Sequence, residues 1–165
     1  TGLEVELRSQ VSQNLRVNAG LTLLESEYGF FLNVDGLRPG PPFQNEGNPL
    51  NNAPETSFNF GVTYDTALSN GGSLSVGLDT SYRSRVFFRE FGLEEDSQDA
   101  YVIVNINANW TSGDGDYAAR LFVNNVTDEQ HVTGMYGLQG TYGRQGTWNM
   151  PRQVGFEVTK FFGAR

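Results

Sequence analysis

Leu121-Phe122-Val123-Asn124-Asn125-Val126-Thr127-Asp128 and the later run Met150-Pro151-Arg152-Gln153-Val154-Gly155-Phe156-Glu157-Val158-Thr159-Lys160-Phe161-Phe162 decide how the chain reads. Strand side chains alternate between two faces with period two. Tyr117, Ala119, Leu121 and Val123 therefore share one side, and Ala118, Arg120, Phe122 and Asn124 the other. Asn124-Asn125 and Thr127-Asp128 stop the strand, because Asn and Asp side chains bond their own backbone and tolerate turn conformations. In the later run, Val154, Phe156, Val158 and Phe162 share a face.

The same alternation repeats through the rest of the chain. It predicts strands over about 2–11, 15–28, 56–66, 73–85, 99–111, 117–126 and 150–162. Leu3, Val5 and Leu7 oppose Glu4, Glu6 and Arg8; Phe58, Phe60, Val62 and Tyr64 oppose Ser57, Asn59, Gly61 and Thr63. Val102, Val104, Ile106, Ala108 and Trp110 oppose Asn105, Asn107 and Asn109. The connections alternate between short turns (12–14, 67–72, 112–116) and long loops (29–55, 86–98, 127–149). The first long loop carries Pro39, Pro41, Pro42, Pro49 and Pro54, which lack the donor that a ladder needs. The expected fold is all-β, an antiparallel up-and-down meander over residues 1–165.

Composition limits the function. Cysteine is absent, so there is no thiolate chemistry and no disulfide frame. The net charge of −8 argues against a nucleic-acid partner, which calls for a basic patch or stripe. There is no run of roughly 18 apolar residues, so no membrane helix is expected. Alternating barrel strands escape that test.

Four features place the apolar face against lipid rather than in a core. The polar face is built from Asn, Ser, Gly and Thr with occasional charges, as suits a hydrated lumen. Aromatics gather at strand ends (Tyr64, Tyr82, Tyr101, Trp110, Tyr117 and Phe162), as in interfacial girdles. Short turns at one end and long loops at the other are the asymmetry of outer-membrane barrels. The fourth feature is a resemblance. Asn124-Asn125-Val126-Thr127-Asp128 resembles the N-L-[TF]-D-x-x-Y signature near the C-terminal end of TonB-dependent outer-membrane receptors, with His131 where that family usually has an aromatic. Pro151-Arg152, Gly155 and Phe161-Phe162 resemble the family's last strand, and Asn52-Ala53-Pro54 adds a third point of likeness.

The resemblance implies the C-terminal segment of a transmembrane β-barrel of about 22 strands. The plug domain and the earlier strands would then lie outside this chain. It implies energy-coupled uptake of a scarce large solute across the bacterial outer membrane, with ferric siderophores the commonest substrate class of the family. The implied partners are the lipid bilayer, the TonB protein acting through an N-terminal region, and the barrel assembly machinery, whose signal Lys160, Phe161 and Phe162 resemble.

No metal-ligating cluster, cofactor motif or catalytic signature stands out, and an enzyme is not expected. Phe87, Phe88, Arg89, Tyr136, Tyr142, Arg144 and Trp148 are the candidate ligand-binding residues, since exposed aromatics beside arginines grip solutes by stacking and charge; packing of loop against loop is the equal alternative for them. Arg16, Asp79, Arg83 and Arg120 are expected to face the lumen in a lattice of paired charges; the alternative is that some of the arginines meet an anionic solute such as a metal chelate. His131 is expected at the surface of its loop. Two other folds fit the alternation. One is a soluble β-sandwich that binds carbohydrate through loop aromatics. The other is a small complete outer-membrane barrel with an eighth strand around 29–34.

Overall fold

The computed structural model describes residues 1–138 and 143–163. Among these residues thirteen strands and one short 3-10 turn occur in order. They are β1 (Gly2–Gln10), β2 (Leu15–Leu24), β3 (Leu32–Asn33), β4 (Phe43–Gln44), β5 (Thr56–Ala67), β6 (Ser73–Arg83) and β7 (Val86–Phe87). The turn at Glu94–Asp96 precedes β8 (Ser97–Gln98), β9 (Tyr101–Thr111), β10 (Tyr117–Asn124), β11 (Val132–Leu138), β12 (Gly143–Trp148) and β13 (Gln153–Lys160).

Seven of these form one antiparallel sheet in the order β1-β2-β5-β6-β9-β10-β13. Each strand pairs with the next long strand of the chain, so the sheet is the expected meander. The other six pair as three two-stranded ladders, one inside each long connection. Leu32–Asn33 pairs with Phe43–Gln44 rather than joining the sheet, so the eighth strand that the small-barrel alternative needs around 29–34 is not in it. The third loop also departs from expectation. It contains a β11–β12 hairpin, whose glycines carry no alternating side chains to announce strands.

Register carries the face assignment across the whole sheet. Directly opposed residues of an antiparallel pair share a face. One unbroken row runs Gln10, Arg16, Thr63, Gly77, Asn107, Phe122 and Gly155. A parallel row runs Leu7, Ala19, Phe60, Thr80 and Val104 on the other face. No second layer covers the apolar face: among the described residues Leu7 is 54 % exposed and Phe156 72 %. Bare apolar surface in water costs about 25 cal/mol per Å². The β-sandwich reading needs a facing sheet and finds none, whereas a lipid-facing wall needs no cover.

Tyr64, Trp110 and Tyr117 lie near the short turns, and Tyr64, Tyr82, Trp110 and Tyr117 sit on the apolar face. Tyr101 does not belong to that girdle. It pairs with Arg83 and lies on the polar face. One position off in a strand reverses a side chain, and the register decides it.

Among the described residues the buried apolar ones are Val86, Phe88 and Phe91, all in the second long connection. A small core therefore sits in the loops, at the end of the sheet opposite the short turns.

Candidate functional site

The loops are tied down by the signature turn. Asn125 and Asp128 adopt left-handed backbone angles, φ 53° and 56°, which Asn and Asp tolerate better than other side chains. Asn125 is 5 % exposed. Its Nδ2 donates to the Glu129 and Met150 carbonyls at 2.9 and 3.2 Å, its Oδ1 accepts the Glu129 amide at 2.8 Å, and its own amide donates to Asn105 Oδ1. Asp128 Oδ1 accepts the Arg152 amide at 2.8 Å. One buried amide and one carboxylate thus bring the two ends of the third loop together against the wall. That is the chemistry the Asn-Asn-x-Thr-Asp pattern supplies.

Above this turn, charges interlock the three loops. Asp35 from the first loop and Asp96 from the second are fully buried. Arg89 reaches both, hydrogen-bonding Asp35 through Nη2 and Asp96 through Nη1 at 3.0 Å, with its side chain only 12 % exposed. Its guanidinium also lies over the Phe91 ring, 4.7 Å from the centroid. Arg144 on β12 donates to Asp96 from Nε at 2.6 Å and to Glu95 from Nη2 at 3.2 Å. Arg38 closes the network on Glu95 and stands 3.9 Å from Asp35. Three arginines meet three carboxylates, so the network is neutral. Burial works to raise the pKa of Asp35. The hydrogen bond from Arg89, the Leu37 amide and the charges of Arg89 and Arg38 outweigh it and hold the group below its usual value. Asp96 holds the Arg144 guanidinium above its usual value.

The candidate ligand residues divide accordingly. Phe88 is buried and Phe87 half-buried in the loop core. Arg89 and Arg144 are engaged in the ion-pair network. Tyr136 and Trp148 stand exposed on the hairpin, and Phe30 is exposed on the first loop. Tyr142 lies outside the described residues. Arg16, Asp79, Arg83 and Arg120 share the polar face. The paired lattice is partial. Arg16 bonds Asp65 at 2.8 Å, while Arg120 faces Glu157 in register but places its guanidinium over Phe122. At the opposite end, Lys160 holds its ammonium 5.1 Å from the ring centres of Tyr117 and Phe162.

His131 is not at the surface. It is 5 % exposed and stacks on Tyr101, with centroids 3.7 Å apart and an interplanar angle of 13°. Its backbone is clamped on both sides by Asn149 at 3.0 Å. Burial pushes its pKa down, Glu129 works against this, and the charge of Arg83 adds to the depression. The unfolded loop takes up a proton near pH 6.5 and the folded loop only below that. The contribution of His131 is full above its ordinary value and is lost as pH falls through the window beneath it. Asp35 acts in the same direction in a lower window, beneath 3.8. Hydrogen exchange of residues 132–138 in the full-length receptor is therefore expected to quicken, after correction for intrinsic rate, between about pH 7.5 and pH 5. His131→Phe keeps the stack and should abolish that step.

A family model described as TonB dependent receptor-like, beta-barrel, matches residues 1–126. Among solved structures, the ferric yersiniabactin uptake receptor FyuA from Yersinia pestis superposes with a TM-score of 0.78 at 18 % identity, over 98 % of this chain and 23 % of that one. The siderophore receptor PiuA from Acinetobacter baumannii gives 0.74 at 21 % identity, over 95 % and 21 %. BauA, the ferric preacinetobactin receptor of the same organism, gives 0.71 at 17 % identity, over 95 % and 21 %. The chain spans less than a quarter of the length of these receptors. No curated protein matches it by sequence.

Proposed function

The chain belongs to the TonB-dependent receptor β-barrel family of the bacterial outer membrane, and from that premise we propose that it forms part of the wall and outer mouth of a receptor that imports a ferric siderophore. The single observation that carries the reading is the one-sided sheet. A continuous polar face and a bare apolar face over seven strands suit a wall between lipid and a hydrated lumen. The shared fold with three receptors described as handling siderophores supports the substrate class.

In this reading Arg16, Asp79, Arg83 and Arg120 line the lumen. Tyr136 and Trp148 meet the solute at the mouth, where the exposed hairpin offers them, with Tyr142 beside them in sequence. Phe87, Phe88, Arg89 and Arg144 hold the platform beneath. TonB couples the receptor to energy through its N-terminal region, and Lys160, Phe161 and Phe162 serve barrel assembly.

The test is accumulation of radiolabelled ferric chelates by iron-starved cells producing the full-length receptor, with and without TonB. The reading expects TonB-dependent accumulation of at least one chelate. Equal accumulation by cells with and without the receptor, across hydroxamate, catecholate and carboxylate chelates, sinks it.

A further inference from the structure

Arg83 ends β6 at the loop side of the sheet, on the polar face. Among the described residues it is the one Lys or Arg side chain with no ion pair, hydrogen bond or ring contact. The other cations are engaged: even exposed Arg85 pairs with Asp99, and Arg152 donates to the Val126 carbonyl.

The surroundings of Arg83 are built. Register sets it directly across from Ser57 on one side and Tyr101 on the other. Tyr101 carries the stacked, buried His131, whose Nδ1 has no hydrogen-bond partner. These residues line a cleft of about 430 Å³ together with Asn59 and Ser81, and no carboxylate among the described residues lines it. A guanidinium aligned with no acid, beside hydroxyl and amide groups and a flat aromatic wall, matches the donor fork that a carboxylate or phenolate takes up in a bidentate way. The chain as a whole carries −8 and repels anions, so an isolated cation at the mouth is a local point of attraction.

We propose that Arg83, with the Tyr101–His131 stack as its wall, forms an oxyanion subsite that receives a carboxylate or phenolate of the imported solute. The planar body that carries the oxyanion lies along the stack, and Ser57, Asn59 and Ser81 offer hydrogen bonds around the charged oxygens. The inference rests on the uptake reading and adds which residue meets which chemical group.

The probe is benzoate, a planar carboxylate with no metal, added to the purified full-length receptor in detergent and followed by saturation-transfer NMR. Wild-type receptor is expected to bind it, and Arg83→Gln to weaken binding about tenfold, the loss of one good charged contact. Tyr101→Phe keeps the ring and should bind as wild type, while Tyr101→Ala should weaken binding severalfold. Unchanged heat-modifiable migration on a gel shows that each variant is folded. Absence of benzoate binding to wild type overturns the subsite, since it means that Arg83 is engaged by an acid elsewhere in the receptor. Equal binding by wild type and Arg83→Gln overturns it too. Chelate accumulation by cells separates the two claims. If wild type accumulates chelate and Arg83→Gln binds benzoate normally, the subsite fails and uptake stands. If wild type accumulates none, uptake fails, and the benzoate titration still decides the subsite.

Discussion

Arg89→Ala is expected to release the three outer loops from one another at a cost of about 3–5 kcal/mol to their assembly, because breaking a buried pair leaves its partners charged and uncompensated. Asp35 would keep only the Leu37 amide at 3.0 Å and Arg38 at 3.9 Å. Asp96 would keep Arg144 but lose the bond that joins it to the first loop. The cation over Phe91 would go as well. Arg85→Ala is the control. That arginine pairs with Asp99, but the two side chains are 45 % and 75 % exposed. Such surface pairs contribute about 0–1 kcal/mol. Hydrogen exchange in the full-length receptor reads both variants. Arg89→Ala should deprotect residues 132–138 and the second loop together, and Arg85→Ala should leave them as they are. Adding Asp35→Asn to Arg89→Met should restore part of the protection, since it removes a stranded charge. Unchanged exchange in Arg89→Ala would mean that the loops are held by their small apolar core alone.

The second large effect lies at the other end of the molecule. A methyl group placed on Gly113 would sit 2.2 Å from the Asn70 carbonyl oxygen and 3.1 Å from the Gly71 carbonyl carbon. Two neighbouring short turns touch there backbone to backbone. Gly72 answers from the opposite turn, where an added methyl would meet the Thr111 carbonyl oxygen at 2.5 Å. Gly155 offers the contrast. Its added methyl would collide at 2.0 Å, but with the ring of Phe122, which can swing away. Backbone cannot swing, so Gly113→Ala must displace a turn and is expected to cost about 1–3 kcal/mol, the range for overpacking a tight site. The temperature at which the full-length barrel loses its heat-modifiable gel migration should fall in Gly113→Ala by more than in Gly155→Ala. The reverse order would show that the turns adjust and the ring does not.

Strand faces were legible in the sequence wherever one face is apolar. Val104 to Trp110 and Phe58 to Tyr64 alternate without a break, and register follows from that alternation because a slip of one residue would turn every side chain over. The hairpin at Val132–Leu138 and Gly143–Trp148 was not legible. Gly134, Gly137, Gly143 and Gly146 carry no side chain, so neither face shows a pattern. Strand ends were overestimated for a related reason. Residues 25–28 carry no Gly or Pro to mark a stop, yet β2 ends at Leu24, and composition does not say where pairing ends.

The candidate site was legible in kind and less so in role. Arg89 and Arg144 stand out as arginines among aromatics. Their partners Asp35 and Asp96 lie 54 and 7 residues from Arg89, and only the fold brings them together. Tyr101 and His131 are 30 residues apart in sequence, and nothing local announces their stack. Arg83 was placed on its face by alternation alone. That it has no partner among the described residues is visible only once the wall is assembled.

The central claim is that this sheet crosses the outer membrane with its short turns inside and its three interlocked loops outside. It is tested most directly by labelling intact cells with a membrane-impermeant maleimide. The chain has no cysteine, so single substitutions report cleanly within it. In the full-length receptor Trp148→Cys, on the exposed hairpin, is predicted to label at once in intact cells. Asn70→Cys, in the turn before β6, is predicted to label only after the outer membrane is opened. Labelling of Asn70→Cys in intact cells with protection of Trp148→Cys would reverse the orientation, and prompt labelling of both would contradict a membrane-spanning wall.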